Sequence, residues 1–307
     1  MAVETFPVLE NIIKQTVADS LQKQNFDFNK FIYEMEQGFS ALGFRDSDEL
    51  TQGAMEDILI VDFHGVGNFI LSTPAIRELR RNYPFSNITL LTNKRCQTLA
   101  ENSPYVNEIL IFDDTYNTRN ILDYMVFVME FAKKSLWQNR YRLAFYLNSE
   151  PNFFHQFLMY LSGAKERVGY VLDVQRVYTE DLLPKEKNPS FQLLTRPFVY
   201  PKQVVHEVER NLYLLEAFNL QVQSNYPELW YNASDTFQAK KLLKNLNPKR
   251  LKVAVGLGST QGEGKYKNYL SALKTIIERG ADVVLLGGKA EAAFAKALLA
   301  KLPAKSV

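Results

Sequence analysis

Apolar residues recur at helical spacing near the start of the chain. They fall every three or four residues in Leu9 to Gln22 and again in Phe28 to Phe39, which predicts two short helices. Gly43 and Gly53 interrupt the sequence that follows. We therefore predict a helical extension over residues 1–55 that packs on a neighbour or on the main body, with a partner-binding arm as the alternative.

From Ile58 onward, short apolar runs alternate with helical stretches. The predicted strands are Ile58–Phe63, Asn87–Thr92, Glu108–Phe112, Leu143–Leu147 and Arg167–Tyr170. The predicted helices are Asn68–Asn82, a stretch around Cys96, a long helix ending near Trp137, residues 151–162 and His206–Phe218. The strand runs lack in-and-out alternation, which is typical of a mostly parallel sheet covered on both faces. The stretch from Pro184 to Pro201 is predicted to be a loop.

A second α/β unit follows the segment from Asn219 to Ser234, which is the best candidate for a linker. Its predicted elements are a helix over Thr236–Leu246, a strand over Leu251–Gly258, a helix over Tyr269–Arg279, a strand over Asp282–Gly288 and a helix from Lys289. Two strands cannot bury both faces of a sheet, and a doubly wound domain has about five or six. We therefore predict an α/β fold with one complete Rossmann-like lobe over residues 56–225 and a partial one over residues 226–307.

Composition narrows the class of protein. The 307 residues are 46% hydrophobic and 23% charged, as in folded globular proteins, which excludes wholesale disorder. The net charge of +2, with no basic run interleaved with aromatic residues, gives no reason to expect a nucleic-acid partner.

Metal centres and membrane spans are not expected. The single cysteine, Cys96, excludes a disulfide framework and a cysteine-based zinc site, and His64, His155 and His206 lack metal-binding spacing. We therefore expect no metal and no cofactor. No run of about 20 apolar residues and no secretory leader is visible, so we expect a protein of the reducing cytoplasm.

A glycine turn, His64-Gly65-Val66-Gly67-Asn68, follows the first predicted strand and opens a helix. Ligands of open α/β sheets bind at such turns. The turn does not match the dinucleotide-binding motif, because no glycine or alanine stands three residues after Gly67. In addition, the acidic residue expected at the end of the second strand is replaced by Thr92 and Asn93. A tight turn that merely needs small residues is the structural alternative.

A second turn, from Gly256 to Lys267, is richer in polar groups. It offers the open backbone of Gly258, the hydroxyls of Ser259 and Thr260, and the ammonium groups of Lys265 and Lys267. These groups suit a phosphate or diphosphate, although the spacing is not that of a P-loop and a flexible surface loop is the alternative. A third turn, Gly287-Gly288-Lys289, is either a ligand contact or a short connection.

Seven segments of this chain follow one another in a characteristic order. They are ILIVDFHGVGNFILSTPAIRELRRNYP, NITLLTNKRCQTLAENSPYVNEILIFD, YRLAFYL, LSGAKERVGY, HEVERNLYLLEAFNL, VAVGLGSTQGEGKYKNY and DVVLLGGKAE. In this order and spacing they resemble the family-nine glycosyltransferases, which include the ADP-heptose:lipopolysaccharide heptosyltransferases. The resemblance covers roughly Ile58 to Ala297 and leaves out the N-terminal helices.

The resemblance implies a GT-B architecture, in which two Rossmann-like lobes face a cleft. It also implies inverting transfer of a heptose from an ADP-sugar to a lipopolysaccharide-core or related glycan acceptor, without a metal. The implied donor-binding residues are Gly258, Ser259, Thr260, Lys265, Lys267 and Gly287, and the implied acceptor-binding residues are Gly65, Gly67 and Thr73. Because such acceptors are membrane lipids handled at the cytoplasmic face, peripheral membrane contact is implied as well.

Asn68 departs from the family pattern. The family usually has an aspartate there as the presumed base, and an amide cannot accept a proton near neutral pH. Asn68 is then expected to orient the acceptor, and His64, with Asp62 near it on the same strand, is the candidate base. Capping of the turn is the structural alternative for His64.

A second departure concerns the donor lobe. The family's stretch resembling Asp-Ser/Thr-Gly-Pro-x-His-Leu-Ala does not occur in this sequence, so the C-terminal lobe is expected to be truncated and to bind an ADP-sugar poorly. The alternative function is a non-catalytic relative that binds a glycan or a protein. Arg77, Arg80 and Arg81 are expected to face an acidic acceptor or anionic headgroups, or to form a solvated helix face.

Overall fold

The computed structural model describes residues 6–23, 26–45, 56–113, 121–171, 190–258, 266 and 268–303. The chain forms two compact units, Met1–Trp230 and Tyr231–Val307. Each unit is described by itself below.

Unit 1 contains a six-stranded parallel sheet in the order β3-β2-β1-β4-β5-β6. Its strands are β1 (Asp57–Asp62), β2 (Asn87–Asn93), β3 (Glu108–Phe112), β4 (Leu143–Tyr146), β5 (Glu166–Tyr170) and β6 (Arg196–Phe198). Ile58 of β1 pairs with Ile88 of β2 on one side and with Leu143 of β4 on the other. This is the strand order of a doubly wound Rossmann-like sheet, so the predicted parallel α/β lobe is confirmed.

The helices of unit 1 lie on both faces of this sheet. They are α1 (Pro7–Lys23), α2 (Phe28–Ala41), α3 (Val66–Asn82), α4 (Gln97–Ala100), α5 (Ile121–Phe131) with a π-helical continuation (Ala132–Leu136), α6 (Phe153–Leu161), α7 (Ser190–Leu193) and α8 (Glu207–Ala217). α3 and α8 cover one face, and α1, α2, α5 and α6 contribute to the core on the other.

Successive residues of β1 point into these two cores. Ile58 and Ile60 pack with α3 and α8, whereas Leu59 and Val61 pack on the opposite face. All four side chains are fully buried. The unbroken apolar run in the sequence therefore results from a strand covered on both faces.

The two N-terminal helices belong to the core of unit 1. One hydrophobic cluster contains Leu59 and Val61 of β1 together with residues of both helices. The helix residues are Leu9 and Ile13 of α1 and Phe31 and Met35 of α2, all of them buried. Of the predicted arrangements, packing on a neighbour, packing on the main body or a partner-binding arm, the structure shows packing on the main body.

Of the predicted loop from Pro184 to Pro201, residues 184–189 lie outside the described residues, and the part from 190 to 201 is not wholly a loop. It contains α7 and the three-residue strand β6, whose Pro197 pairs with Gly169 of β5. A proline lacks the N–H that a central strand needs, but an edge strand tolerates it. The short, proline-containing run gave no strand signal for that reason.

Pro74 lies inside α3, and its missing N–H accounts for a hydrogen bond of the preceding residue, Thr73. Proline has no N–H to donate to the carbonyl of Ile70, and the Thr73 hydroxyl donates to that carbonyl instead, at 2.8 Å. The same hydroxyl accepts the backbone N–H of Glu228 at 2.8 Å. Thr73 is 1% exposed, so its hydroxyl serves the fold of α3 and of the segment beside it.

Arg77 fastens the chain after α8 to α3. Its guanidinium donates to the backbone carbonyls of Ser224 and Tyr226, each at 3.0 Å, and pairs with the carboxylate of Glu228. Arg77 is 4% exposed. The expectation that Arg77 faces an acceptor, headgroups or solvent is therefore wrong, and this part of the predicted linker lies fixed against unit 1.

Arg80 and Arg81 also contact protein groups. Arg80 donates to the backbone carbonyls of Ser86 at 2.7 Å and Tyr105 at 2.9 Å. Arg81 is exposed and pairs with the buried carboxylate of Glu78 at 2.7 Å. Of the three arginines, Arg81 alone has the solvated position that the sequence suggests for all of them.

Unit 2 contains a two-stranded parallel sheet of β7 (Lys252–Gly256) and β8 (Asp282–Leu286). Its helices are α9 (Ala233–Leu243), α10 (Tyr269–Glu278) and α11 (Ala292–Leu299), the last preceded by a 3-10 turn (Lys289–Glu291). α9 begins three residues earlier than predicted because Asn232 and Asp235 form a reciprocal capping box.

None of the helices in the described ranges is long and apolar enough to cross a lipid bilayer.

Candidate functional site

The carboxyl ends of β1 and β4 meet where the strand order of the first sheet reverses. β1 leads into His64 and the glycine turn, and β4 leads into Asn148 and Ser149. α8 begins beside them, since the carboxylate of Glu207 accepts hydrogen bonds from the backbone N–H and the hydroxyl of Ser149. Ligands of doubly wound sheets bind in this crevice, where loops and helix N-termini converge. It is the candidate site of unit 1.

Asp62 and His64 form a hydrogen-bonded pair at this point. Asp62 Oδ1 lies 2.9 Å from Nδ1 of His64 and also accepts the backbone N–H of His64 at 3.0 Å. Asp62 is fully buried and His64 is 6% exposed. The short contact assigns the Nδ1 proton to the bond with Asp62, so Nε2 carries the lone pair of the neutral ring. The pair therefore presents a proton acceptor in a fixed orientation.

Neighbouring elements hold the backbone of His64 in place. Asn93, at the end of β2, donates its Nδ2 hydrogen to the His64 carbonyl at 2.9 Å, and the thiol of Cys96 donates to the same oxygen at 3.3 Å. Asn93 and Cys96 are both buried. The residue that ends the second strand thus fixes the histidine instead of contacting a nucleotide ribose.

The surroundings of His64 favour its protonated form. Burial alone would lower the pKa of His64, but the charge and hydrogen bond of Asp62, with contributions from Glu207 and Asn148, raise it above its ordinary value of 6.5. A base with a raised pKa binds a proton more tightly once it has removed it from a substrate.

The glycine turn opens α3 beside this pair. Gly65 is the N-cap and offers no side-chain cap, so the N–H groups of the first turn, over Val66, Gly67 and Asn68, have no partner inside the helix. Residues 65 to 68 are exposed. Free N–H groups at the N-terminus of a 17-residue helix can bind an oxygen atom that carries negative charge.

Ser72 is near His64, but the geometry excludes a serine nucleophile. Its Oγ lies 3.4 Å from Nδ1 of His64, the nitrogen that already bonds to Asp62. A catalytic serine must use the ring nitrogen opposite to the one held by the carboxylate. Ser72 is also fully buried on α3, where Asn211 of α8 donates a hydrogen bond to its hydroxyl at 3.4 Å. The arrangement of His64 and Ser72 is therefore not that of an enzyme that forms an acyl-serine intermediate.

Unit 2 has its own cavity, at the carboxyl ends of β7 and β8. It measures about 280 Å³ and is lined by Leu257, Tyr266, Tyr269, Ala290, Glu291 and Phe294. Tyr269 stands edge-on to both Tyr266 and Phe294, with ring centroids 5.4 and 5.6 Å apart. A wall of aromatic rings beside one carboxylate suits a flat heterocycle and hydroxyl groups.

The side chain of Glu291 lies beside Gly258 and Gly287, two of the predicted donor-binding residues. Its carboxylate accepts the backbone N–H of Gly288 at 2.8 Å. A Cβ added to Gly258 would come within 2.9 Å of the Glu291 carboxyl carbon, and one added to Gly287 would meet Glu291 Cβ at 2.9 Å. The glycines therefore make room for a carboxylate of the protein itself. This negative charge favours hydroxyl groups and repels phosphate at Gly258.

The other predicted donor-binding residues, Ser259, Thr260, Lys265 and Lys267, lie outside the described residues. Among the residues that are described, no three histidine, cysteine, aspartate or glutamate side chains are arranged to hold a metal ion.

The structure adds residues that the sequence did not point to. Glu207, Ser149 and Arg210 join His64 at the crevice, although they come from α8 and from the loop after β4. Nothing in their local sequence marks them. Knowing that β4 lies beside β1 would have pointed to residues 148–149, but only the packing of α8 on α3 adds Glu207.

Known structures share this fold. No protein-family model matches the sequence, and no curated protein matches it either. Among solved structures, a glycosyl transferase family 9 protein from Veillonella parvula DSM 2008 aligns with 82% of this chain and 68% of its own, at a TM-score of 0.65 and 16% identity. The E. coli ADP-heptose LPS heptosyltransferase II aligns with 81% of this chain and 70% of its own, at a TM-score of 0.59 and 20% identity.

A third solved structure is the E. coli heptosyltransferase WaaC with ADP-2-deoxy-2-fluoro heptose. It aligns with 80% of this chain and 76% of its own, at a TM-score of 0.55 and 16% identity. At these identities the likeness shows the fold. The chain has an α/β fold of the GT-B type, as its sequence predicts.

Proposed function

We propose that this protein is a family-nine-like glycosyltransferase that transfers a sugar from an ADP-activated donor, with inversion, to a glycan or glycolipid acceptor. The observation that carries the proposal is the Asp62–His64 pair, set at the reversal point of the sheet beside an exposed glycine turn. The fold that the chain shares with solved heptosyltransferases supports it.

In this proposal His64 is the general base. Nε2 removes the proton of an acceptor hydroxyl while Nδ1–H remains bonded to Asp62. The acceptor oxygen attacks the anomeric carbon of the donor, and the bond from that carbon to the diphosphate breaks as ADP leaves. The imidazolium then releases its proton to solvent.

The acceptor is proposed to lie against the glycine turn. The exposed N–H groups near Gly65 and Gly67 would bind an acceptor oxygen, and the exposed amide of Asn68 would orient the reacting hydroxyl. Thr73 is left out of this proposal, because its hydroxyl is already bonded to Ile70 and to Glu228.

The donor is proposed to bind in unit 2. The aromatic rings of Tyr266, Tyr269 and Phe294 would hold the nucleoside base, and Glu291 would accept hydrogen bonds from sugar hydroxyls near Gly258 and Gly287. The diphosphate is assigned to the loop that contains Ser259, Thr260, Lys265 and Lys267. In its most specific form, the proposal names heptose as the transferred sugar and the lipopolysaccharide core as the acceptor. It places the reaction at the inner face of the membrane.

A histidine variant tests the role of His64. ADP release from ADP-heptose is measured with a heptose-free lipopolysaccharide acceptor. We expect H64Q to lower kcat by about 10²- to 10⁴-fold, the usual contribution of a general base. The wild-type kcat/KM should fall toward acid pH with an apparent pKa above 6.5, because His64 must be unprotonated to act.

The control is H206Q, which alters the exposed histidine that caps α8. It should retain wild-type kcat within about threefold, a change of under 1 kcal/mol in the barrier. Full activity of H64Q in a folded protein would show that His64 is not the base.

A second candidate function is a non-catalytic glycan-binding relative. The exposed amide of Asn68, at the position of the family's presumed base, favours it. Binding of the acceptor by calorimetry without transfer from any ADP-sugar tested would support this second function over the first.

A further inference from the structure

Glu207 lies on the side of the His64 ring opposite Asp62. Its Oε1 is 3.8 Å from Nε2 of His64, and its side chain is 15% exposed. Asp62 contacts Nδ1 at 2.9 Å, so the imidazole is held between two carboxylates, one at each nitrogen. At 3.8 Å the Glu207 contact is an ion pair with the charged ring and not a hydrogen bond.

The Glu207 carboxylate is itself fixed. Ser149 donates its backbone N–H to Oε1 at 3.2 Å and its hydroxyl to Oε2 at 2.7 Å. Arg210, one turn further along α8, places Nη1 3.6 Å from Oε2. Glu207 is also the first residue of α8, where the helix dipole favours a negative charge. These contacts hold the Glu207 carboxylate in one orientation beside His64.

We infer that Glu207 is a positioning residue for His64. It supplies a fixed negative charge that stabilises the imidazolium formed when Nε2 takes a proton. Through this contact α8 would set the pH range in which His64 acts as a base. The catalytic part of this inference rests on the proposed function, but the effect on His64 does not.

The charged groups facing His64 can be counted element by element over the described residues. β1 contributes Asp62, and α8 contributes Glu207 and, behind it, Arg210. α3 contributes the neutral hydroxyl of Ser72, and the loop after β4 contributes the neutral amide of Asn148. From the β2 side, Asn93 and the thiol of Cys96 contact the His64 carbonyl and not the ring. Two carboxylates and one guanidinium leave a net negative surrounding, which favours the imidazolium.

The test compares E207Q with E209Q in the full chain. Both glutamates lie in the first turn of α8, so both substitutions remove one charge from the same helix N-terminus. Only Glu207 faces His64. The imidazole resonances of the protein's three histidines are titrated by NMR, and H64Q identifies the His64 signal.

We expect E207Q to lower the His64 pKa by about half a unit or more, the effect of one charge at this distance in a largely aqueous dielectric. E209Q should leave the His64 pKa within about 0.2 units of wild type, because solvent and salt screen its charge. An unchanged His64 pKa in folded E207Q, or equal shifts in both variants, would overturn the inference.

The titration requires no turnover, so its result is independent of the proposed activity. If transferase activity is found, the acid limb of kcat/KM should move to lower pH in E207Q and stay in place in E209Q. A loss of activity in E207Q at all pH values, without a shift of this limb, would mean that Glu207 has only a structural role.

Discussion

At the scale of single residues, Gly65 and Gly67 are glycines that the surrounding protein does not require. A Cβ added at either position would meet no atom within 4 Å, and neither residue is among the glycines with positive φ. Packing and backbone conformation therefore fail to explain their small size. Under the proposed function, space for the acceptor beside His64 would account for both glycines.

Replacing Gly67 by alanine separates folding from binding. We expect G67A to be as stable as wild type or about 0.5 kcal/mol more stable, because alanine loses less backbone entropy in a helix. The added methyl should nevertheless raise the acceptor KM several-fold by occupying the open side of the turn. Urea unfolding and the transfer assay measure the two effects.

Gly280 provides the matched control for this substitution. A Cβ there also meets no atom within 4 Å, but its φ is +89°. G280A should therefore cost about 1–2 kcal/mol through backbone strain alone. A destabilised G67A, or a G67A with unchanged KM, would contradict the assignment of the turn to ligand binding.

At the scale of elements, α2 is joined to the sheet by a cluster of charged groups, of which Arg167 is buried. The Glu36 carboxylate of α2 receives Nε and Nη2 of Arg45 at 2.9 and 3.0 Å, and Nη2 of Arg167 in β5 lies 3.6 Å away. Arg167 is 3% exposed and also donates to the carbonyls of Ala164 and Leu193, each at 2.7 Å. Glu36 thus balances the charge of two neighbouring cations, Arg45 and the almost wholly buried Arg167.

Neutralising Glu36 should weaken this junction in a pH-dependent manner. Burial raises the pKa of Glu36, but the hydrogen bonds and charge of Arg45 outweigh it and bring the pKa below its ordinary value of 4.5. The carboxylate therefore stabilises the fold above pH 4.5, and this contribution is lost as the pH falls through the lowered pKa. We expect E36Q to cost about 1 kcal/mol at neutral pH, a modest figure because the side chain is 34% exposed.

Urea unfolding at about pH 7 and about pH 3.5 measures the effect, and the difference from wild type should shrink at the lower pH. E34Q is the control, since Glu34 on the same helix pairs with the exposed Lys30 at 3.6 Å. It should cost under about 0.5 kcal/mol. Equal losses for the two variants would show that the Glu36 cluster adds nothing to an ordinary surface pair.

At the scale of the whole molecule, the two units have cores of very different size. The sheet of unit 1 is buried on both faces by large apolar clusters. In the described part of unit 2, the buried apolar cluster has only five members: Leu257, Leu273, Val283, Leu298 and Leu302. The interior of β7 is half-buried at Val253 and exposed at Ala254. Because stability follows buried apolar area, unit 2 should open more readily.

Native-state hydrogen exchange can resolve this difference. We expect amides of β7 and β8 to exchange at least tenfold faster than those of β1 and β4, a gap of about 1.4 kcal/mol in opening free energy. Peptide-resolved mass spectrometry of the intact chain gives both rates in one experiment. Equal protection of the two sheets would show that the units unfold together.

Much of this molecule follows from local sequence. The apolar run of β1, the glycine turn after it and the spacing in α8 each specify their own element. β6 escaped prediction because a short edge strand containing Pro197 carries no periodic signal. Thr73 has a local explanation in Pro74, the next residue, which leaves the Ile70 carbonyl without its usual donor.

Local sequence is enough to predict most of the helices and strands and the closeness of Asp62 and His64, since each depends on residues near one another in the chain. The parallel sheet is predicted from strand runs that lack in-and-out alternation and that alternate with helices. Long-range packing is what brings Glu207 and Ser149 to His64 and buries Arg77 against the segment after α8. Hydrophobic periodicity indicates whether a residue is buried, but it does not identify the distant residue that packs against it. These long-range contacts form when β4 pairs with β1 and α8 packs on α3, which requires the whole sheet to assemble.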